Sequence, residues 1–93
     1  MAATPIAIFS KDPNAVLDYS IDWRKWLAGD SISTSTWTVG AGITQDSATQ
    51  SGTVATVWLS GGTDATTYVV TNRVVTVAGR TEDRTVHIQV RER

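Results

Sequence analysis

Residues 66–90, with the sequence TTYVVTNRVVTVAGRTEDRTVHIQV, decide the fold because they join two extended runs through one turn. The first run, about 66–78, is rich in valine and threonine, whose branched side chains suit a pleated strand better than a helix. In the second run, about 84–91, apolar residues alternate with polar ones. The residues between them, about 78–82, include Gly79 and are typical of a turn. This stretch therefore predicts an antiparallel β-hairpin.

Strand periodicity divides the first run between two faces, because successive side chains point to opposite sides of a sheet. One face holds Tyr68, Val70, Asn72, Val74 and Thr76. The other face includes Arg73, which is costly to bury without a partner, so the Tyr68 face is predicted to be the core face. Asn72 is then buried and should hydrogen-bond to the backbone of a neighbouring strand or loop. The alternative is a β-bulge near Asn72, which would bury Val75 and Val77 instead.

Shorter runs of the same character fill the rest of the chain. Strands are predicted at about 17–23, 32–39, 43–49 and 54–59. A helix-like patch, Trp23–Leu27, is expected to form a single turn between strands. Six or seven short strands predict an all-β fold, a single immunoglobulin-like β-sandwich, with a small closed barrel as the alternative. Tyr68, near the start of a long strand, matches the position of the tyrosine corner in such sandwiches.

The first residues allow two interpretations. The apolar segment Ile6–Phe9 precedes a predicted turn at Lys11–Asn14. It is either the first strand of the domain, which we favour, or an arm that pairs with a neighbouring subunit. Residues 1–5 are predicted to be a flexible lead and residues 6–93 a single β-sandwich domain, since 93 residues leave room for one core.

Composition excludes several classes of protein. There is no cysteine, hence no disulfide and no cysteine-based zinc site, and the 41% of hydrophobic residues is ordinary for a globular domain. The net charge of −1 argues against a dedicated nucleic-acid binder, although residues 1–72 carry −3 and residues 73–93 carry +2. No apolar run reaches the roughly 20 residues of a membrane span, and the N-terminus does not resemble a signal peptide. We therefore expect production in a cytoplasm, with no nucleic-acid and no membrane partner.

Candidate catalytic and metal-binding groups are sparse. His87 is the only histidine, and alternation places it on the outward face of the last strand. No G-x-S-x-G nucleophile motif accompanies it. Asp18 and Asp22 share one strand face and could join a calcium site, but the spacing of a known calcium loop is absent. The sequence predicts no enzyme activity, no cofactor and no metal.

The aromatic and N-terminal apolar residues supply the candidate binding surface. Trp23 and Trp37 each share a strand face with apolar residues, so both are predicted to lie in the core. Trp26 and Trp58 are less easily buried, so each is either an interface residue, a sugar-stacking platform or a residue half-covered by a loop. The candidate interface residues are Ile6, Ile8, Phe9, Trp26 and Trp58.

Two blocks of the sequence are specific enough to compare with a known family. The first block is FSKDPNAVLDYSIDW (9–23) with WLAGD (26–30). The second is VWLSGGT (57–63), YVVTNR (68–73) and GRTEDR (79–84). Both blocks resemble a family of small virion proteins of tailed bacteriophages, and the resemblance covers about residues 9–91. Members are often described as fibre-to-tail adaptor proteins.

The resemblance implies a non-enzymatic virion component with an immunoglobulin-like fold, assembled in the host cytoplasm. Its expected partners are tail or tail-fibre subunits, and repetition within the particle implies a homo-oligomer. The family supplies no catalytic residues to carry over. Two rival functions remain: a capsid decoration or carbohydrate-adhesion module in which Trp26 and Trp58 stack on sugars, and, less favoured, a small hydrolase.

Overall fold

A computed structural model describes residues 7–92. Within them lie seven strands and one helical turn. The strands are β1 (Ala7–Lys11), β2 (Leu17–Asp22), β3 (Ile32–Val39), β4 (Ile43–Gln50), β5 (Val54–Gly61), β6 (Thr66–Thr76) and β7 (Thr81–Val90). The helical turn, α1, spans Arg24–Leu27, where the sequence predicted it.

The strands form two stacked sheets. One has the order β1-β7-β6-β3 and the other the order β2-β5-β4. All neighbours are antiparallel except β1 and β7, which pair in parallel from Ala7–Val86 to Lys11–Val90. The predicted all-β sandwich is confirmed, and the predicted hairpin is the β6–β7 pair. Residues 7–9 belong to the first strand of the domain, as favoured, whereas Ile6 and the predicted flexible lead, residues 1–5, lie outside the described residues.

The core lies between the two sheets and follows the predicted faces. On β6 the buried side chains are Tyr68, Val70, Asn72, Val74 and Thr76. Val77 is 73% exposed and β6 pairs with β7 without a register shift, so the alternative of a bulge near Asn72 is wrong. The predicted core residues Trp23 and Trp37 are buried, and the indole N–H of Trp37 has no hydrogen-bond partner among residues 7–92.

Asn72 connects the two sheets through its side chain. Its Oδ1 accepts a hydrogen bond from Trp23 Nε1 at 2.9 Å, and its Nδ2 donates to Ser35 Oγ at 2.8 Å and to the Thr36 carbonyl at 3.2 Å. The backbone partner predicted for Asn72 is thus the Thr36 carbonyl of β3. The β3 contacts fix the orientation of the Asn72 amide, and the amide oxygen in turn holds the indole of Trp23 in position.

Tyr68 forms the predicted tyrosine corner. Its hydroxyl oxygen accepts a hydrogen bond from the Thr63 backbone N–H at 2.8 Å, five residues upstream. Hydrogen bonds from Thr63, first from its side chain and then from its backbone, lower the pKa of the Tyr68 phenol. The ring also lies close to Gly42, where an added Cβ would approach its Cε1 to 3.1 Å. Tyr68 thereby anchors the loop before β6 through Thr63, and its ring packs against the turn between β3 and β4 at Gly42.

Two predicted boundaries are wrong. The turn before β7 occupies residues 77–80, so Thr81 and Glu82 already belong to the strand. Lys11 was expected in a turn, yet it is the last residue of β1 and is fully buried. Its ammonium donates to the Gly61 carbonyl at 2.7 Å and to the Asp12 carbonyl at 2.9 Å, so it ties β1 to the end of β5 in the other sheet.

Candidate interaction surfaces

The outer face of the four-stranded sheet carries a row of exposed apolar side chains. Ile8 of β1 is the cross-strand partner of His87 on β7, and His87 is the partner of Val69 on β6. Ile8 is 59% exposed and Val69 is 51% exposed, while His87 between them is half-buried. We call Ile8, His87 and Val69 the Ile8 surface. Two exposed aliphatic side chains on either side of a half-buried imidazole are suited to contact with another protein.

The Ile8 surface carries no unpaired acid or base apart from its histidine. Further along the same face, Arg73 and Asp83 form a bidentate pair, with Nε–Oδ1 at 2.8 Å and Nη2–Oδ2 at 3.0 Å. The hydrogen bonds from Arg73 hold the pKa of the Asp83 carboxyl below its usual value. His87 points outward as predicted, and its cross-strand neighbours are two aliphatic residues rather than a carboxylate and a nucleophile.

The outer face of the three-stranded sheet carries the second candidate surface. Trp58 lies on the central strand, β5, and is 39% exposed. Its cross-strand partners are Asp18 on β2 and Ser47 on β4. We call Trp58, Asp18 and Ser47 the Trp58 surface. A flat indole between a carboxylate and a small hydroxyl side chain can take a cation, a sugar or an apolar side chain.

The three-stranded sheet that carries Trp58 has acidic residues but no basic ones. The strands β2, β4 and β5 contain three aspartates, at 18, 22 and 46, and neither lysine nor arginine. Asp46 interrupts the register between β4 and β5, and its Oδ1 accepts a hydrogen bond from Ser60 Oγ at 3.0 Å. Asp22 is paired with Arg24 at 3.7 Å, whereas Asp18 forms no ion pair with any residue among 7–92. The two surfaces therefore differ in charge, one being neutral and the other negative.

Two of the predicted interface residues have packing roles inside the domain. Phe9 is half-buried, and its ring contacts that of Tyr19 with the centroids 5.1 Å apart. Trp26 is also half-buried, edge-on to Trp23 at 5.4 Å and covered on one face by the Arg80 guanidinium at 4.4 Å. Ile6 lies outside the described residues. The structure thus leaves Ile8 and Trp58 exposed, on opposite sides of the sandwich, and contact of any of the five residues with a partner stays a prediction.

Charged residues that the sequence did not single out stabilise the end of the sandwich near α1. Arg80 donates to Asp30 Oδ2 at 3.2 Å and to the carbonyls of Trp26 and Leu27 at 3.2 and 2.7 Å. Arg84 stacks on the opposite ring of the aromatic pair, Trp23, at 4.3 Å. These contacts join residues fifty or more positions apart, which no local pattern reveals.

Among residues 7–92 no group of three or more histidine, cysteine or acidic side chains could hold a metal ion. Asp18 and Asp22, considered above for calcium, lie outward on β2 with no third acidic or histidine ligand grouped with them in that part of the chain. The same residues include no helix long and apolar enough to cross a membrane.

Burial lowers the pKa of the Lys11 ammonium, and the nearby carboxylates of Asp12 and Asp46 oppose that shift.

Comparison with known families adds the decisive observation. Residues 11–89 match the family described as podophage GP4 fiber-tail adaptor protein gp77. The chain belongs to this family. The match confirms the resemblance found in the sequence and covers every strand except most of β1 and the last residue of β7. No curated protein matches the chain.

A solved structure confirms the architecture of this family member. The chain is similar to the solution structure of the PKD domain from the KIAA 1837 protein, with a TM-score of 0.55 and 22% sequence identity. The similarity covers 98% of this chain and 84% of the PKD domain. At this identity the likeness establishes the fold alone, an immunoglobulin-like β-sandwich.

Proposed function

We propose that this family member is a non-enzymatic structural component of a tailed-bacteriophage virion that joins the tail to a tail fibre through protein–protein contacts. The observation that supports this most strongly is the presence of two exposed surfaces of different chemistry on the outer faces of the two sheets. Outer faces of stacked sheets point in opposite directions, so a partner on one does not obstruct a partner on the other. An adaptor needs two binding surfaces that do not overlap, which this arrangement provides, whereas a terminal decoration protein needs one surface.

Each surface has the features of a binding centre. Exposed tryptophan is enriched among the few residues that dominate interface energies, and Trp58 occupies the middle of its sheet. The aliphatic row of Ile8 and Val69 offers apolar area without a charge to desolvate. The partners are other virion proteins, the site of action is the virion, and assembly takes place in the host cytoplasm. Repetition of the protein as a homo-oligomer in the particle would multiply weak contacts.

Substitutions on the two surfaces should separate the two partners. We expect Trp58→Thr to weaken binding of one recombinant partner, the tail subunit or the fibre subunit of the same phage, by about tenfold or more. We expect the double variant Ile8→Thr/Val69→Thr to weaken binding of the other partner to a similar degree. Isothermal titration calorimetry with each purified subunit measures both effects.

The matched control is Val77→Thr, which changes an exposed valine in the turn before β7, outside both surfaces. It should leave both affinities unchanged. Val77 is 73% exposed, so the free energy of unfolding of this variant should change by less than about 0.5 kcal/mol. Trp58, Ile8 and Val69 are partly buried, so their truncation should also cost about 1–2 kcal/mol, and circular dichroism must show that each variant is folded at the titration temperature. If both sets of substitutions weaken the same partner, or if neither affects any partner, the adaptor function is wrong. Binding of purified glycans that depends on Trp58 would favour the carbohydrate-adhesion alternative.

A further inference from the structure

Two tryptophans of this protein are already covered by arginine. The Arg80 guanidinium carbon lies 4.4 Å above the ring of Trp26, and its Nε donates to Asp30 Oδ2 at 3.2 Å. The Arg84 guanidinium carbon lies 4.3 Å above the ring of Trp23. The planar cation is attracted to the negative face of the indole, and the carboxylate fixes its orientation. The domain therefore already contains, at Trp26, an arginine that stacks on a tryptophan and pairs with an aspartate.

Trp58 also has an aspartate beside it, but no arginine among residues 7–92 covers its ring. Asp18 is its cross-strand partner, so their Cβ atoms lie about 4.5–5.5 Å apart. The other cross-strand partner, Ser47, is small and leaves the indole 39% exposed. No arginine or lysine occurs in the three strands of this sheet, and Asp18 forms no ion pair within residues 7–92.

We propose that Trp58 and Asp18 form a binding site for an arginine side chain of the partner protein that docks on the Trp58 surface. This inference rests on the proposed function, which assigns a partner to that surface. The guanidinium would stack on the indole and donate hydrogen bonds to the Asp18 carboxylate, as Arg80 does with Trp26 and Asp30. Asp46 adds a further carboxylate on this sheet, and the nearby Lys11 ammonium offsets part of its charge. A partner segment rich in aspartate or glutamate would not bind here, because its charges would be repelled by the Asp18 carboxylate.

The chemistry favours arginine over lysine and over a sugar. A guanidinium is planar, can stack and hydrogen-bond at the same time, and is less strongly hydrated than an ammonium. A neutral sugar would stack on the same indole and could donate hydroxyl hydrogen bonds to Asp18, but its binding would not weaken as the salt concentration rises. Dependence on salt and on the charge of the ligand therefore distinguishes the proposed occupant from a glycan.

Peptide binding followed by NMR tests the site without any knowledge of the partner. The ¹⁵N-labelled protein is titrated with the capped peptides Gly-Arg-Gly, Gly-Lys-Gly and Gly-citrulline-Gly, citrulline being the neutral isostere of arginine. One exposed contact of this kind binds only weakly, so the peptides are used at high millimolar concentrations. We expect the Trp58 indole signal to shift progressively with the arginine peptide, less with lysine and not with citrulline. The Trp26 indole is an internal control, because Arg80 already occupies its face.

Variants assign the shifts to the proposed pair. Asp18→Asn keeps the shape of the side chain and should weaken binding of the arginine peptide about twofold to fivefold, and Trp58→Leu about fivefold. The control Glu92→Gln removes an exposed carboxylate at the end of β7, away from this face, and should have no effect. Raising the salt concentration to 0.5 M should abolish most of the binding.

Equal shifts with the citrulline peptide, or an Asp18→Asn variant that binds as well as the parent, would overturn the arginine site. So would Trp58 shifts with chitotriose that exceed those with the arginine peptide. These outcomes are separate from failure of the adaptor function, which is decided by the tail and fibre subunits. If Trp58→Thr weakens a subunit but Asp18→Asn and salt do not, the docking surface stands and the arginine inference is wrong.

Discussion

Replacing Asn72 with alanine is expected to lower the free energy of unfolding by about 3 kcal/mol. The substitution removes the acceptor of the Trp23 indole N–H, a contact that crosses the interior, and the donor to Ser35 and Thr36 on the neighbouring strand β3. An unsatisfied buried donor costs about 1–3 kcal/mol by itself, and the space left by the amide adds to this cost. Urea denaturation of the variant and the parent measures the difference.

A double-mutant cycle with Trp23→Phe isolates the hydrogen bond between the two side chains. Phenylalanine has no N–H to leave unsatisfied, so Asn72→Ala should cost about 1–2 kcal/mol less in that background. Additive effects would mean that Asn72 acts through its other two contacts. A cost below about 1 kcal/mol for Asn72→Ala alone would contradict its role as the polar link between the sheets.

The second large effect is expected at Gly62. An added Cβ there would lie 2.7 Å from Val90 Cγ2 and 3.4 Å from Tyr68 Cε2, and the backbone φ is +97°. Val90 is fully buried and its branched side chain has little rotamer freedom, so it cannot move aside cheaply. Strain and overpacking together predict a loss of about 3 kcal/mol for Gly62→Ala, measured by urea or thermal denaturation.

The neighbouring glycine supplies a matched control. Gly61 also has a positive φ, +75°, but an added Cβ there meets no atom within 4 Å. Gly61→Ala should therefore cost only the backbone strain, about 1 kcal/mol. The combination Gly62→Ala with Val90→Ala should lose less than the sum of the two single variants, because the second substitution removes the clash. Equal costs for Gly61→Ala and Gly62→Ala would show that the packing against Val90 is loose.

The sequence was most informative where periodicity and charge pointed in the same direction. On β6, the cost of burying Arg73 selected the core face, and that single choice predicted the burial of Asn72 and the exposure of Val69. The bounds of β7 were less accurate, because Thr81 and Glu82 continue the ladder without an apolar residue to reveal it. Pairing with β6 extends the strand through polar positions that the alternation does not mark.

Burial of a charged residue was outside the reach of the sequence. Lysine is almost never fully buried, so a turn was the reasonable expectation for Lys11. Its ammonium is satisfied by the Gly61 carbonyl, fifty residues away. Trp26 illustrates the same limit, since its cover is Arg80, at the far end of the β6–β7 turn. Contacts of this length follow from the stacking of the sheets and have no local signature.

The candidate surface was predicted in part. Alternation placed Trp58 outward on β5, and the structure agrees. It could not show that Ile8 lies beside Val69, because these two strands meet through β7 in a parallel and an antiparallel pairing. Nor could it show that the Ile8 and Trp58 surfaces face opposite directions, which depends on how the strands divide between the sheets. The proposal of an adaptor rests on this division of the strands between the two sheets.

The most direct test of this account is sedimentation-velocity analysis of this protein mixed with its tail and fibre subunits. If the two surfaces bind different partners at once, a ternary complex heavier than either binary complex should form. Neither the tail–fibre mixture without this protein nor the mixture with a Trp58→Thr, Ile8→Thr and Val69→Thr triple variant should produce it. Competition between the tail and fibre subunits for this protein, with binary complexes alone at saturating concentrations, would contradict the two-surface adaptor.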